Sequence, residues 1–247
     1  MLDIHNHILP GVDDGAQNLE ESEQLLTGAA ADGIDEFILT PHYMHGTDFA
    51  VTYDEIQERF ETLKHYAEAK ELPVKLHIGN EIMICRNMDE LLDEHKIHTL
   101  AGSHYILVEF PMDNYKSEYD EYLYNATVSG YRIIIAHPER YQYIRSNPAM
   151  VDRWVDEGYL LQCNGDNLKH RKKAKVIHYL LERGLCSFIA SDGHNLRRPV
   201  KLADAYREIS KTYSREIADR LFCVNPQRII ADEIIEDMPL KPKRHWM

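Results

Sequence analysis

The sequence predicts an α/β fold, a distorted seven-unit β/α (TIM-like) barrel, and three observations carry that expectation. Short apolar runs bounded by turn residues alternate with amphipathic stretches along the chain. Several amphipathic stretches end in a glycine that introduces the next apolar run, and polar groups recur at a nearly constant step where those runs end. The 247 residues, 44% of them hydrophobic, suffice to bury one sizeable core. No linker, low-complexity tract or composition break divides them, so residues 1–247 are expected to form a single domain. An open doubly wound sheet is the structural alternative.

Seven runs read as buried strands: residues 2–5, 36–40, 74–79, 105–110, 132–136, 160–163 and 186–190. Between them, residues 19–32, 53–70, 117–129 and 168–183 repeat apolar side chains at intervals of three and four, the spacing of one helical face. Gly33, Gly130, Gly158 and Gly184 stand where helices are expected to end, supplying a left-handed cap at little steric cost. Repeated strand, helix and glycine imply parallel pairing, and seven such units imply a barrel with one unit fewer than usual. Residues 239–247 read as a short polar tail.

Composition excludes several classes. No stretch approaches the roughly 20 consecutive apolar residues that a membrane-spanning helix needs. Met1 leads straight to Asp3 and His5 without the basic and apolar regions of an export signal. The chain is therefore expected to be soluble and cytoplasmic. Cys85, Cys163, Cys186 and Cys223 form no Cys-x-x-Cys pair and are expected to be reduced. A formal net charge of −13 disfavours nucleic acid as a partner and repels anions at long range, so any anion site must be made positive locally.

Polar residues stand where the strands end. His5 and His7 follow the first run, His42 the second and Glu81 the third; Glu109 lies within the fourth. His137 follows the fifth, Asn164 the sixth, and Asp192 with His194 the seventh. Positions 5, 42, 81, 109, 137, 164 and 192 differ by 37, 39, 28, 28, 27 and 28, which is one polar group per β/α unit. The C-terminal strand ends of a β/α barrel share one face, so groups spaced this way meet although distant in sequence. Imidazoles and carboxylates crowded there are costly to bury unless cations occupy the centre, and metal binding is the simplest resolution.

Each member also has an ordinary reading. A lone histidine after a strand is more often a hydrogen-bonded residue than a ligand. His65, His95, His98, His170, His178 and His245, in helical or loop patterns, are expected on solvated surface. His5 and His7 differ, because alternation along a strand aims both side chains to one side. Glu109 alone would read as a helix cap or ion-pair partner, and Asp13 and Asp14 as turn residues of segment 10–15. Cys163 could offer a thiolate but is expected to point into the core.

The motifs MLDIHNHILPGVDDGAQNLEES, TPHY, GNE, HPERY and IASDGHN together resemble the polymerase and histidinol phosphatase (PHP) superfamily. More narrowly, they are similar to its bacterial protein-tyrosine phosphatase branch, which regulates capsule and exopolysaccharide synthesis in Gram-positive bacteria. The resemblance runs from Met1 to about Asn225; the extended first motif is its most specific part. It implies a seven-unit barrel holding three divalent metal ions, commonly Mn2+. By that resemblance His5, His7, Glu81 and Asp192 hold the first, Glu81, Glu109 and His137 the second, and Asp14, His42 and His194 the third. The superfamily more often has histidine at the positions of Asp14 and Glu109, which points to the tyrosine-phosphatase branch. Nitrogen and oxygen donors suit Mn2+, Mg2+, Fe or Zn2+, and the carboxylate share leans toward a harder ion such as manganese.

Against three divalent ions, the carboxylates of Asp14, Glu81, Glu109 and Asp192 leave an excess of about +2, which attracts a phosphate dianion despite the acidic chain. Arg140, three residues after His137, is placed to give phosphate a planar two-pronged donor. Arg197 and Arg198 are weaker candidates for the same task. The expected reaction is in-line attack on phosphorus by a water that the ions acidify, with His42 or His194 available to protonate the leaving oxygen. Leu91, Lys169, Asp192 and Ile229 stand six positions after the four cysteines, so there is no Cys-x5-Arg nucleophile loop. The resemblance implies phosphotyrosine on the tail of a bacterial tyrosine kinase as substrate. A small-molecule phosphomonoesterase such as histidinol phosphatase is the first alternative, a metal-binding regulatory or scaffold protein the second. Exonuclease activity is disfavoured by the acidic surface.

Overall fold

The structure is a computed structural model that describes residues 1–235, so the expected polar tail 239–247 and His245 lie outside the described residues. Nine strands form among the described residues. They are β1 (Leu2–Asp3), β2 (Glu36–Leu39), β3 (His42–Tyr43), β4 (Lys75–Ile78), β5 (Glu81–Met83), β6 (Tyr105–Glu109), β7 (Arg132–Ala136), β8 (Leu160–Asn164) and β9 (Phe188–Ala190). One sheet has the order β1-β2-β4 and the other β3-β5-β6-β7-β8-β9, with every pair parallel. The count exceeds the seven runs expected by two, the short strands β3 and β5, which lie just beyond the second and third runs and belong to the other sheet. Thr40 and Pro41 separate β2 from β3, and Gly79 and Asn80 separate β4 from β5. Pro41 has no N–H to give a ladder, which ends regular pairing there. Backbone bonds nevertheless run past the breaks: Gly79 N donates to Leu39 O at 2.8 Å and Glu81 N to Pro41 O at 3.1 Å. Beyond the first and last strands, Asp192 N donates to His5 O at 2.9 Å and His7 N to Gly193 O at 2.8 Å.

Side-chain alternation along the strands splits the core in two. Ile38, Leu107, Ile134, Ala136 and Phe188 join Leu2, Ile4 and Leu160 in an inner cluster. Their neighbours Phe37, Ile106, Val108, Ile135 and Ile189 face outward against the helices. Both faces of β6, β7 and β9 are therefore largely buried, which is why these strands read as continuous apolar runs, whereas β4 (Lys75–Ile78) is only half-buried.

The helices supply the outer layer. Leu19–Ala31 starts where the Asn18 side chain accepts from Glu21 N, and it buries Leu25, Leu26 and Ala29. Tyr53–Ala69 is capped by Thr52 and buries Ile56, Phe60, Leu63 and Ala67, spaced by four, three and four. The expected capping glycines adopt left-handed φ of 87° at Gly33, 95° at Gly130, 87° at Gly158 and 73° at Gly184. The helix expected over 168–183 begins at Arg171, after a 3-10 turn at Gly165–Lys169. Ala203–Thr212, Arg215–Asp219 and Asn225–Ile230 follow the last strand, with a π-helical turn at Arg220–Val224. Ile229 and Ile235 close the inner cluster at the N-terminal strand ends, where Asp232 accepts from Arg132 Nη1 at 3.0 Å and His104 N at 2.9 Å.

One histidine was misplaced by its sequence pattern. His98 is buried, not solvated: its ring stacks on Tyr53 with centroids 3.6 Å apart, and Nε2 lies 3.1 Å from Tyr53 O. His65, His95 and His170 are exposed, and His178 is half-buried against Tyr213 Oη at 2.8 Å. No helix among the described residues is long and apolar enough to cross a membrane.

Candidate metal centre

The C-terminal strand ends gather the residues singled out in the sequence. His5, His7, Glu81, Glu109, His137, Asp192 and His194 are buried, whereas His42 is half-buried and Asp14 stands exposed on the loop after β1. Glu81 sits at the centre. Its carboxylate oxygens lie 3.2 Å from His5 Nε2, 3.3 Å from His7 Nε2, 3.0 Å from His42 Nδ1 and 2.8 Å from His137 Nε2. Glu109 reaches His42 Nδ1 at 3.4 Å and His137 Nε2 at 3.8 Å. Asp192 Oδ1 lies 3.7 Å from His5 Nε2, 3.6 Å from His7 Nε2 and 3.4 Å from His194 Nδ1. Asp14 Oδ1 is 3.6 Å from His42 Nε2 and 3.7 Å from His194 Nε2.

These side chains meet because the backbone turns sharply as it leaves the strands. His137 and Asp192, directly after β7 and two residues after β9, take φ of 32° and 51°. Left-handed backbone at a non-glycine residue is uncommon and costs energy that surrounding structure must offset. On the first loop, a Cβ added at Gly15 would meet His7 O at 2.1 Å, so only glycine lets the chain return close enough to bring Asp13 and Asp14 to the centre.

Other polar groups fix the orientation of the imidazoles. Gln162 Oε1 lies 2.9 Å from His5 Nδ1, and Asp13 Oδ2 lies 2.8 Å from His7 Nδ1. Each contact places the N–H on Nδ1 and turns the Nε2 lone pair inward. His42 N also donates to Asp13 Oδ2 at 2.9 Å. Asp192 Oδ2 accepts from Arg140 Nη1 at 2.7 Å, Asn164 Nδ2 at 2.6 Å and Arg198 Nη2 at 3.1 Å. Glu139, buried beneath, accepts from Asn164 N at 2.9 Å and Asn167 Nδ2 at 2.7 Å. Arg197 has its backbone N bonded to Asn195 Oδ1 and an exposed side chain. Cys163 packs in the outer core cluster.

Sequence reasoning gave no role to Gln162 or Glu139 and took Asp13 for a turn residue. A glutamine inside the apolar run Leu160–Asn164 was the available sign, since a buried polar group in a strand needs a partner.

Electrostatics show what this arrangement requires. Burial alone lowers an imidazole pKa, but Glu81 and then Asp192 outweigh it at His5, raising it to about 9. Burial is likewise overcome at His42, where Glu81 and Glu109 raise the pKa to about 11. His194 goes the other way: burial, then the neighbouring His7 and Arg198, push it down to about 3. Glu81 is held well below the ordinary carboxylate range, because His5 and His42 outweigh the opposing effect of burial. The carboxylates draw positive charge into the centre, and divalent cations would supply it in place of protons.

A direct test of fit is whether polar atoms are left without partners. His5 Nε2, His7 Nε2, His42 Nδ1, Glu81 Oε2, Glu109 Oε1 and Asp192 Oδ1 are buried and make no hydrogen bond. Buried polar groups are otherwise satisfied in folded proteins, so these donor atoms fit divalent cations. Three overlapping groups have ligand atoms within 4.8 Å of one another: His7, Asp14, His42 and His194; His5, His7 and Glu81; and His42, Glu81 and Glu109.

Fold and site thus define a parallel α/β protein with a candidate cation centre at its strand ends. A phosphotriesterase of Mycobacterium tuberculosis shares the fold, at TM-score 0.57 and 11% identity over 93% of each chain. The chain itself belongs to the capsular polysaccharide synthesis CpsB/CapC family, which matches residues 1–231. It is 34% identical over 244 residues to tyrosine-protein phosphatase CpsB of Streptococcus pneumoniae, covering 95% of this chain and 100% of that one. One chain from the crystal structures of YwqE from Bacillus subtilis and CpsB from Streptococcus pneumoniae, described as unique metal-dependent tyrosine phosphatases, superposes at TM-score 0.90. The identity there is 29%, over 98% of this chain and 99% of that one.

Proposed function

We propose that this chain is a cytoplasmic metal-dependent protein-tyrosine phosphatase, acting on phosphotyrosine in the tail of a bacterial tyrosine kinase that controls capsule or exopolysaccharide synthesis. The observation that carries this reading is the set of unpartnered nitrogen and carboxylate atoms converging at the strand ends, in a chain of the CpsB/CapC family. The backbone bonds past the two strand breaks and between the β1 and β9 extensions support reading the sheets as one distorted barrel of seven units.

His5, His7, Glu81 and Asp192 would hold one ion, Glu81, Glu109 and His137 a second, and Asp14, His42 and His194 a third, with Mn2+ the preferred metal. His42 and His194 fall within one ligand group with His7 and Asp14. A ring nitrogen bound to metal cannot deliver a proton, so we assign both histidines as ligands ahead of the proton-donor role, and a departing phenolate needs little protonation. Bound divalent cations supply Lewis-acid stabilisation of phosphoryl charge and lower the pKa of water.

The chain's own cations complete the phosphate site. A guanidinium carries five N–H donors, and Asp192 engages Arg140 through Nη1. Arg140 thus keeps donors for phosphoryl oxygens, and Asp192 fixes its orientation in advance. Arg198 stands on the same carboxylate oxygen and is the stronger of the two late arginine candidates. Gln162 and Asp13 hold the ligating faces of His5 and His7 inward before anything binds.

The test compares phosphotyrosine peptide and histidinol phosphate as substrates for chelated protein with Mn, Mg, Zn or Fe restored. Peptide hydrolysis lost on chelation and recovered with manganese is the expected result. Exclusive use of histidinol phosphate, or activity indifferent to chelator, would overturn the reading.

A further inference from the structure

Residues 44–51 join β3 to the helix Tyr53–Ala69 and fold into a turn fastened at several points. Thr47 N and Thr47 Oγ1 both donate to Met44 O, at 3.1 and 2.8 Å. Phe49 N donates to Thr47 Oγ1 at 3.2 Å, and Ala50 N to Thr47 O at 3.0 Å. The turn brings Phe49 back to His42, with ring planes 18° apart and centroids separated by 5.8 Å. Nearly parallel planes at that separation are an offset stack. Phe49 therefore stacks beside the imidazole of His42, and as a residue it is only half-buried at the edge of the candidate cation centre. The His42 ring is 6.0 Å from that of His194, after which the turn 195–198 lifts Leu196 to 54% exposure.

We propose that Phe49 determines substrate class, standing beside the phenyl ring of an aryl phosphate whose phosphoryl group lies among the strand-end residues. The inference rests on the phosphatase reading. Imidazoles, carboxylates and arginines bind the phosphate, which aryl and alkyl esters share, so they cannot choose between the two in binding, although the easier departure of a phenolate favours aryl esters in the chemical step. Discrimination in binding needs contact with the organic part of the ester. An aromatic ring at the rim supplies a stacking surface that an alkyl chain uses poorly. The fastened turn orders that ring before substrate arrives, which reduces the entropy lost on binding.

The experiment compares wild type, Phe49→Ala and Phe49→Tyr, with Tyr124→Ala, 64% exposed on the helix Glu118–Val128, as a surface control. Calorimetry measures binding of phenylphosphonate and methylphosphonate, and steady-state kinetics uses phosphotyrosine peptide and glycerol phosphate. Phe49→Ala is expected to weaken phenylphosphonate binding and raise KM for the peptide by about tenfold. Methylphosphonate binding, metal content and kcat should stay near wild type, and Phe49→Tyr should restore aryl binding. Equal weakening of both phosphonates, or of neither, overturns the proposal. Should Phe49→Ala fail to fold, Phe49→Leu keeps apolar volume without the ring and gives the same comparison. A metal-loaded wild type that hydrolyses no phosphate ester would defeat the phosphatase reading itself, whereas an active enzyme indifferent to Phe49 removes only this inference.

Discussion

The two ends of the strands obey opposite rules. At the N-terminal ends and along the interior, Leu2, Ile38, Leu107 and Ile134 pack as an apolar cluster, and Asp232 gives Arg132 and His104 N a partner. At the C-terminal ends, a few residues further along the same strands, six buried donor atoms of His5, His7, His42, Glu81, Glu109 and Asp192 have none. Two residues there also take left-handed backbone, His137 and Asp192. One end of the fold is built for stability; the other keeps its polar groups uncommitted, which is useful only when something binds there.

Substitutions at the two ends should therefore fail in different ways. The largest effect belongs to the candidate ligands: His7→Ala and Asp192→Ala should each lower phosphotyrosine hydrolysis by about 10³-fold, measured with manganese in excess. An interior change such as Leu107→Ala should instead cost about 2–5 kcal/mol of stability in urea or thermal melts, with metal content unchanged. A loss of metal without loss of stability in that variant would break the division drawn above.

Groups that orient the ligands sharpen it. Gln162→Leu and Asp13→Asn leave the donor atoms in place but free the His5 and His7 rings, so manganese affinity should fall by about 10- to 100-fold by calorimetry. The smallest effect concerns pH and lies away from the centre. Burial, opposed weakly by the bond to Tyr53 O, lowers the His98 pKa from 6.5 to about 4. Between those values the unfolded chain holds a proton at His98 that the folded chain does not. Stability contributed by neutral His98 is thus present above 6.5 and declines as pH falls toward 4, by roughly 1–3 kcal/mol. Urea titrations of wild type and His98→Gln across that window should show a shallower decline in the variant.

Most of the scaffold was legible because both faces of strands such as β6, β7 and β9 are buried, so these are compact apolar runs, and because glycine marks several helix ends. The interruptions at Pro41 and at Gly79–Asn80 were not legible as breaks: the apolar run simply stops, and β3 and β5 are too short to leave a pattern. His42 and Glu81 consequently begin new strands instead of merely following the old ones. The strand-end residues could be read from their steps of 27 and 28 along the later units, since one polar group per unit survives any uncertainty in strand boundaries. Gln162 and Glu139 escaped notice because their roles depend on which neighbour they touch, His5 in one case and Asn164 with Asn167 in the other. His98 was missed for the same reason, its burial being decided by a ring 45 residues away.

Metal content decides the central claim most directly. Wild-type protein and Glu81→Gln, both dialysed against manganese and then metal-free buffer, would be analysed for bound metal by mass spectrometry, with circular dichroism confirming that both are folded. More than one ion per wild-type chain, falling sharply in Glu81→Gln, is the result expected. A folded wild type that retains no metal, or a variant that retains the full complement, would contradict it.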